Sequence, residues 1–261
     1  MLASKQKNRS LIVGINGSQG AGKSTLTKIV SHILEQGFNK NIISFSIDDL
    51  YKSQKQRTRL AETVHPLLCT RGVPGTHNVD LGISIFKQLL NKKSTENKIP
   101  VFDKSTDDCL PESQWQKVNN NCDIVLFEGW CVGSIAQSKE QLKSPINELE
   151  NKQDSDARWR SFVNQQLDGP YAELFSFIDL LIMLEIPDFS NVYEWRKLQE
   201  QKLSDSTHAT KNTAIMTDRE LKQFIMHFER ITRHTLKEMP DRCDILLQLD
   251  NSHSVRKVVI H

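Results

Sequence analysis

Two glycines, a lysine and a serine carry the first readable chemistry of this chain. Gly17, Gly22, Lys23 and Ser24 lie in "GINGSQGAGKST" and fit the spacing G-x-x-x-x-G-K-[ST]. Such a loop turns backbone N–H groups toward a phosphate, and the helix N-terminus behind it adds positive potential. The lysine reaches the β and γ phosphates and the serine hydroxyl ligates Mg²⁺. Gly17, Ser18, Gly20, Ala21, Gly22, Lys23, Ser24 and Thr25 are therefore expected to hold a nucleoside triphosphate with its metal.

Acids at the ends of apolar runs are the next signal. "SIDDLY" puts Asp48 and Asp49 at the carboxyl end of a strand expected beside the first, where ligands of α/β proteins sit. One carboxylate there can take a proton from a hydroxyl attacking the γ-phosphorus, while the other caps the next segment. Asp48 is read as the base and Asp49 as the cap or as support for substrate. "DIVLFEGW" ends an apolar run in Glu128, a hard oxygen donor suited to Mg²⁺. Arg196, Lys197 and Lys202 in "NVYEWRKLQEQKL" are expected on a helix that closes as a lid, Arg196 bringing its charge to the transferring phosphoryl group.

These residues require strands that end together. Apolar runs at Leu11 to Ile15, Asn41 to Ile47, Cys122 to Phe127, Asp179 to Ile186 and Asp244 to Leu249 read as buried parallel strands. Leu26, Ile29, Val30, Ile33 and Leu34 recur with helical spacing, and Gly37 is expected to stop that helix. Thr217 and Glu220 form a capping-box pattern opening a core helix that runs toward Pro240. The polar stretches Ser134 to Asp156 and Ser204 to Ala214 read as mobile surface. The fold class is α/β, a doubly wound, mostly parallel sheet. The chain is expected to form one domain over 1–261, with insertions at about 51–117 and 134–169 and a lid at about 196–216.

Composition narrows the partners. The 261 residues carry 34 Lys and Arg against 32 Asp and Glu, a net +2, so no global field attracts nucleic acid or a membrane surface. Five cysteines without a C-x-x-C pair suggest neither a disulfide framework nor zinc. With no apolar run long enough for a signal peptide or a membrane span, the expected setting is the cytoplasm. No heptad pattern assigns an oligomeric state. "NKQD" at Asn151 to Asp154 matches a guanine-reading signature, but "PINELE" precedes it where an apolar strand should end, so a GTPase switch is disfavoured.

The segments "GSQGAGKST", "SIDDLYKS", "RGVPGTHNVDLG", "PVFDKS", "LFEGWCVG", "NVYEWRKLQE" and "FERITRHTLKEMP" together resemble the uridine kinase, phosphoribulokinase and pantothenate kinase branch of P-loop kinases. Within it the chain is most similar to the D-glycerate 3-kinases. That resemblance implies ATP as donor, Mg²⁺ held by Ser24 and Glu128, Asp48 as the catalytic aspartate, and D-glycerate as acceptor. It also implies acceptor-site walls in the segments holding Arg71, His77, Asp80, Asp103 and Lys104. A small carboxylate acceptor needs an arginine or lysine, and Arg71 and Lys104 are available. The alternatives are a kinase for another small hydroxylated metabolite and a regulatory ATPase or GTPase without an acceptor.

Overall fold

The computed structural model describes residues 9–91, 96–119, 121–206 and 216–261. Strand β1 (Leu11–Gly17) runs into the phosphate-binding loop and helix α1 (Lys23–Phe38), followed by β2 (Ile42–Ser46). Helices α2 (Gln54–Thr63) and α3 (Val79–Asn91) come next, then the short strands β3 (Glu96–Ile99), β4 (Phe102–Asp103), β5 (Asp108–Cys109) and β6 (Gln116–Asn119). Beyond β7 (Ile124–Gly129) lie α4 (Glu148–Gln153), α5 (Arg158–Gln166), a π-helical turn (Leu167–Tyr171), α6 (Ala172–Phe175) and β8 (Leu180–Glu185). Helices α7 (Ser190–Ser206) and α8 (Asp218–Glu238) precede the terminal strands β9 (Ile245–Leu249) and β10 (Val255–Ile260).

The main sheet has the order β10-β9-β8-β1-β7-β2, parallel throughout except for β10, which pairs antiparallel at the edge. This corrects one expectation. β2 does not lie beside β1; β7 sits between them, with Glu128 in register with Ile15 on one side and Ser46 on the other. The crossover through α1 leaves that slot open for a strand arriving much later in the chain, and local pattern carries no information about strand order.

Helix α1 departs from its sequence reading in two ways. Its stop is Asn39, in the left-handed region at φ 49°, whose N–H bonds Leu34; Gly37 lies inside the helix. Asn tolerates that conformation because its short polar side chain bonds locally. Leu26 and Val30 pack on the core, but Ile29 and Ile33 are about half exposed. The capping box at Thr217 and Glu220 forms as expected and opens α8.

Ser134 to Asp156, expected to be mobile, is instead tied down by buried charge. Glu150 receives Arg230 of α8 through two bonds of 2.7 and 2.6 Å, and Asp154 pairs with Arg160 at 2.8 Å. A segment whose charges pair with residues elsewhere in the chain looks like solvated loop to any composition argument. The "NKQD" stretch belongs to this scaffold: Asp154 also accepts the backbone N–H groups of Trp159 and Arg160. Most of Ser204 to Ala214, and with it much of the anticipated lid, lies outside the described residues.

Candidate active site

The parallel strands deliver their carboxyl ends to one edge, and the site is assembled there. From β1 the loop turns into α1, where the Lys23 ammonium donates to the Ser18 carbonyl at 3.1 Å. Burial draws the Lys23 pKa below its ordinary value, against the opposing pull of Glu128 and Asp48. Ser24 donates its hydroxyl to Glu128 Oε1 at 2.8 Å. Two hard oxygen donors thus meet at the mouth of the loop. They fit Mg²⁺, which takes one or two protein ligands and fills its octahedron with phosphate oxygens and water. No cluster of three or more His, Cys, Asp or Glu among the described residues offers a self-sufficient metal cage.

Beyond Glu128, β2 ends in a tight 3-10 turn, Ile47–Leu50. Ser46 caps it by accepting the Asp48 N–H, and Asp49 Oδ2 accepts the Ser46 N–H at 2.9 Å. Asp49 is therefore committed to the cap. Burial lifts its pKa to about 6, assisted by the neighbouring Asp48 charge. Asp48 faces the other way and receives the Lys104 ammonium at 2.7 Å. Burial pushes its carboxyl up, but the Lys104 charge and hydrogen bond, with a further bond from the Tyr51 hydroxyl, outweigh it and hold Asp48 below the usual carboxylate range. Asp48 stays ionised at neutral pH, a carboxylate able to accept a proton beside the Ser24–Glu128 pair.

The wall facing Asp48 is the loop from Gly72 to His77. Gly72 adopts φ +140°, and a Cβ there would lie 2.5 Å from the Phe228 ring, so only glycine lets the loop press against α8. Trp130 donates its indole N–H to the Gly72 carbonyl at 3.0 Å. The His77 ring is fully buried, stacks on Tyr51 at 4.4 Å between centroids, and has Nδ1 2.6 Å from the Tyr171 hydroxyl. The Tyr171 oxygen also accepts the Gly75 N–H at 2.9 Å, and we assign its own proton to His77 Nδ1. His77 Nε2 then carries hydrogen, and it is buried without a partner among the described residues. Burial pushes the imidazole down to about 3, so it is neutral across the working pH range.

The structure assembles Lys23, Ser24, Asp48, His77, Lys104 and Glu128 around one edge and sorts the remaining expectations differently. Asp103, expected to touch substrate, spends its carboxylate inside the β4–β5 hairpin on the Ser105 N–H and hydroxyl and on the Thr106 hydroxyl. Arg71 is ion-paired with Asp107 and lies 5.7 Å over the Phe102 ring. Asp107 also takes the buried Arg57 at 2.9 Å. Asp80 stands in the first turn of α3, where a carboxylate complements the helix dipole. Lys197 is paired with Asp218 at 3.0 Å, and the Lys202 side chain lies outside the described residues. Arg196, half-buried, follows Trp195 on the part of α7 that abuts Gly20. Sequence reasoning passed over Tyr51, Tyr171 and Asp107. Tyr51 was signalled by its place two residues after the paired aspartates, whereas Tyr171 and Asp107 carry no local signal.

A family model described as phosphoribulokinase/uridine kinase matches residues 12–169, more than half of the chain and all of the site from the loop to the Tyr51–His77 wall and Glu128. The chain belongs to this family. Its members are kinases, so phosphotransfer is the reaction class. A Schizosaccharomyces pombe protein, the uncharacterized kinase mug58, is 33% identical over 237 residues, covering 86% of this chain and 80% of the relative. A chloroplastic D-glycerate 3-kinase of Arabidopsis thaliana is 26% identical over 226 residues, 84% of this chain, which spans only 46% of the plant protein. The solved D-glycerate 3-kinase of Cryptococcus neoformans superposes with a TM-score of 0.82 over 100% of this chain and 93% of its own, at 23% identity, a likeness of fold.

Proposed function

We propose that this chain is an ATP- and Mg²⁺-dependent kinase of a small hydroxylated carboxylate, with D-glycerate as the first candidate and 3-phosphoglycerate as product. The observation that carries this reading is Asp48, ionised and anchored by Lys104 one strand away from the Ser24–Glu128 pair. The triphosphate lies along Gly17, Ser18, Gly20, Ala21, Gly22 and Thr25, and the nucleoside enters the adjoining pocket of about 480 Å³ between α1, α7 and β9. Ser24 and Glu128 would hold Mg²⁺, whose charge would offset the negative charge that develops on the phosphoryl group during transfer.

The other steps belong to the chain's own residues. Lys23 exchanges the Ser18 carbonyl for phosphate oxygens. The acceptor hydroxyl gives its proton to Asp48 as its oxygen bonds to the γ-phosphorus; the bond to the β–γ bridging oxygen breaks and ADP leaves. His77 donates from Nε2 to an acceptor oxygen and remains neutral. Arg71 exchanges Asp107 for the acceptor carboxylate, and Lys104 holds both Asp48 and the acceptor. Arg196 on α7 stabilises the transferring group. The chain acts as one kinase unit, with 51–117 and 134–169 forming and backing the acceptor wall. All five cysteines are unpaired thiols, in keeping with a cytoplasmic setting. Among the described residues no helix is long and apolar enough to cross a membrane.

The test is ADP release by the purified chain offered D-glycerate, pantothenate, uridine or ribulose 5-phosphate. Strong stimulation by D-glycerate alone is expected. Stimulation by another member reassigns the acceptor, and slow turnover indifferent to all four, with GTP preferred, overturns the kinase reading.

A further inference from the structure

Three segments far apart in sequence meet on the wall of the nucleoside pocket, in a contact the mechanism above does not use. Trp195 of α7 is buried and stacks on His253, in the β9–β10 turn, with 3.8 Å between centroids and 29° between planes. His253 Nε2 lies 3.0 Å from the Gly20 carbonyl oxygen, so Nε2 carries hydrogen and donates to the phosphate-binding loop. The Trp195 indole donates to the Asn251 carbonyl at 3.3 Å, and Asn191 of α7 bonds the Asn251 side chain at 3.0 Å. A Cβ on Gly20 would lie 2.7 Å from the Trp195 Cβ; glycine is needed there for the approach of α7 as well as for φ +81°.

His253 is exposed and sits at φ +65°, a conformation that favours glycine. Strain of that kind persists where the surroundings fix it, and it gathers at ligand clamps. Here the strained turn aims one hydrogen bond at the loop that handles phosphate and one ring face at the helix carrying Arg196.

We propose that His253 and Trp195 form a joint clamping α7 onto the phosphate-binding loop, and that both are positioning residues for the nucleotide. His253 fixes the loop through Gly20, and Trp195 sets the place from which Arg196 approaches. The inference rests on reading the loop as an ATP site and is independent of the acceptor.

The test uses ATP with Mg²⁺ and no acceptor, titrated calorimetrically into the full chain, with thermal midpoints measured beside it. His253→Ala is expected to weaken ATP binding by about three- to tenfold, the size of one lost net hydrogen bond, at an unchanged midpoint. His253→Asn, whose amide can still donate to Gly20, recovers most of the loss. The ATP-induced change in tryptophan fluorescence is expected to vanish in Trp195→Phe, which isolates this indole from the other three tryptophans. Wild-type affinity in His253→Ala, or a loss that Asn does not restore and that follows a lowered midpoint, overturns the joint while leaving the kinase reading intact. Failure of the wild-type chain to bind ATP overturns both.

Discussion

The two ends of the site are built on different physical plans. At the nucleotide end, backbone and strand geometry do the positioning: the loop between β1 and α1 presents N–H groups, and Ser24 meets Glu128 because β7 pairs directly with β1. At the proposed acceptor end, side chains hold one another: Lys104 on Asp48, Tyr171 on His77, Asp107 on both Arg71 and Arg57. A site made of backbone tolerates exchange of its neighbours, whereas one made of mutual side-chain pairs depends on each partner. The difference teaches that the first end is fixed by strand order and the second by pairs of side chains brought from distant segments.

That contrast can be broken by mutation. Lys23→Met at the nucleotide end is expected to lower turnover by about 10²- to 10³-fold, the range seen when one preorganised charge donor is lost, and equally for any acceptor. A loss that varied with the acceptor would show that Lys23 serves the acceptor end. Tyr171→Phe takes the donor from His77 Nδ1 and the acceptor from the Gly75 N–H. It is expected to raise the acceptor KM by about tenfold with the KM for ATP unchanged. A parallel rise in both constants would mean that the two ends are not separate.

The smallest effect concerns the cap between them. Asp49 is lifted to about 6 in the fold from an ordinary 3.8, so between those values the folded state holds more proton than the unfolded state. Its contribution to stability therefore declines as pH rises from about 4 to 6 and is flat above. Asp49→Asn, which keeps an acceptor for the Ser46 N–H, is expected to gain in thermal midpoint relative to wild type across that window. Parallel curves for the two proteins would show that Asp49 is not perturbed.

The same contrast separates what was legible in the sequence from what was not. The placement of Gly17 to Thr25 between a strand and a helix, and of Asp48 and Glu128 at strand ends, could be read because each depends on a local rule, a glycine spacing or an acid closing an apolar run. The order of the strands could not, since β7 reaches its slot from far along the chain. At the acceptor end Asp103 and Asp107 stand four residues apart on one hairpin, and only the fold shows which is spent on the turn and which reaches the arginines. Ser134 to Asp156 misled for a related reason, because the partners of Glu150 and Asp154 lie on α8 and α5. Long-range pairing of charge leaves no periodic trace.

The central claim is that Asp48 takes the proton of an acceptor hydroxyl. Single-turnover phosphoryl transfer by Asp48→Asn, with ATP affinity measured in parallel, tests it most directly. The account predicts a transfer rate lower by about 10²- to 10⁴-fold, the usual weight of a general base, with ATP bound as in wild type. A transfer rate close to that of wild type would contradict it.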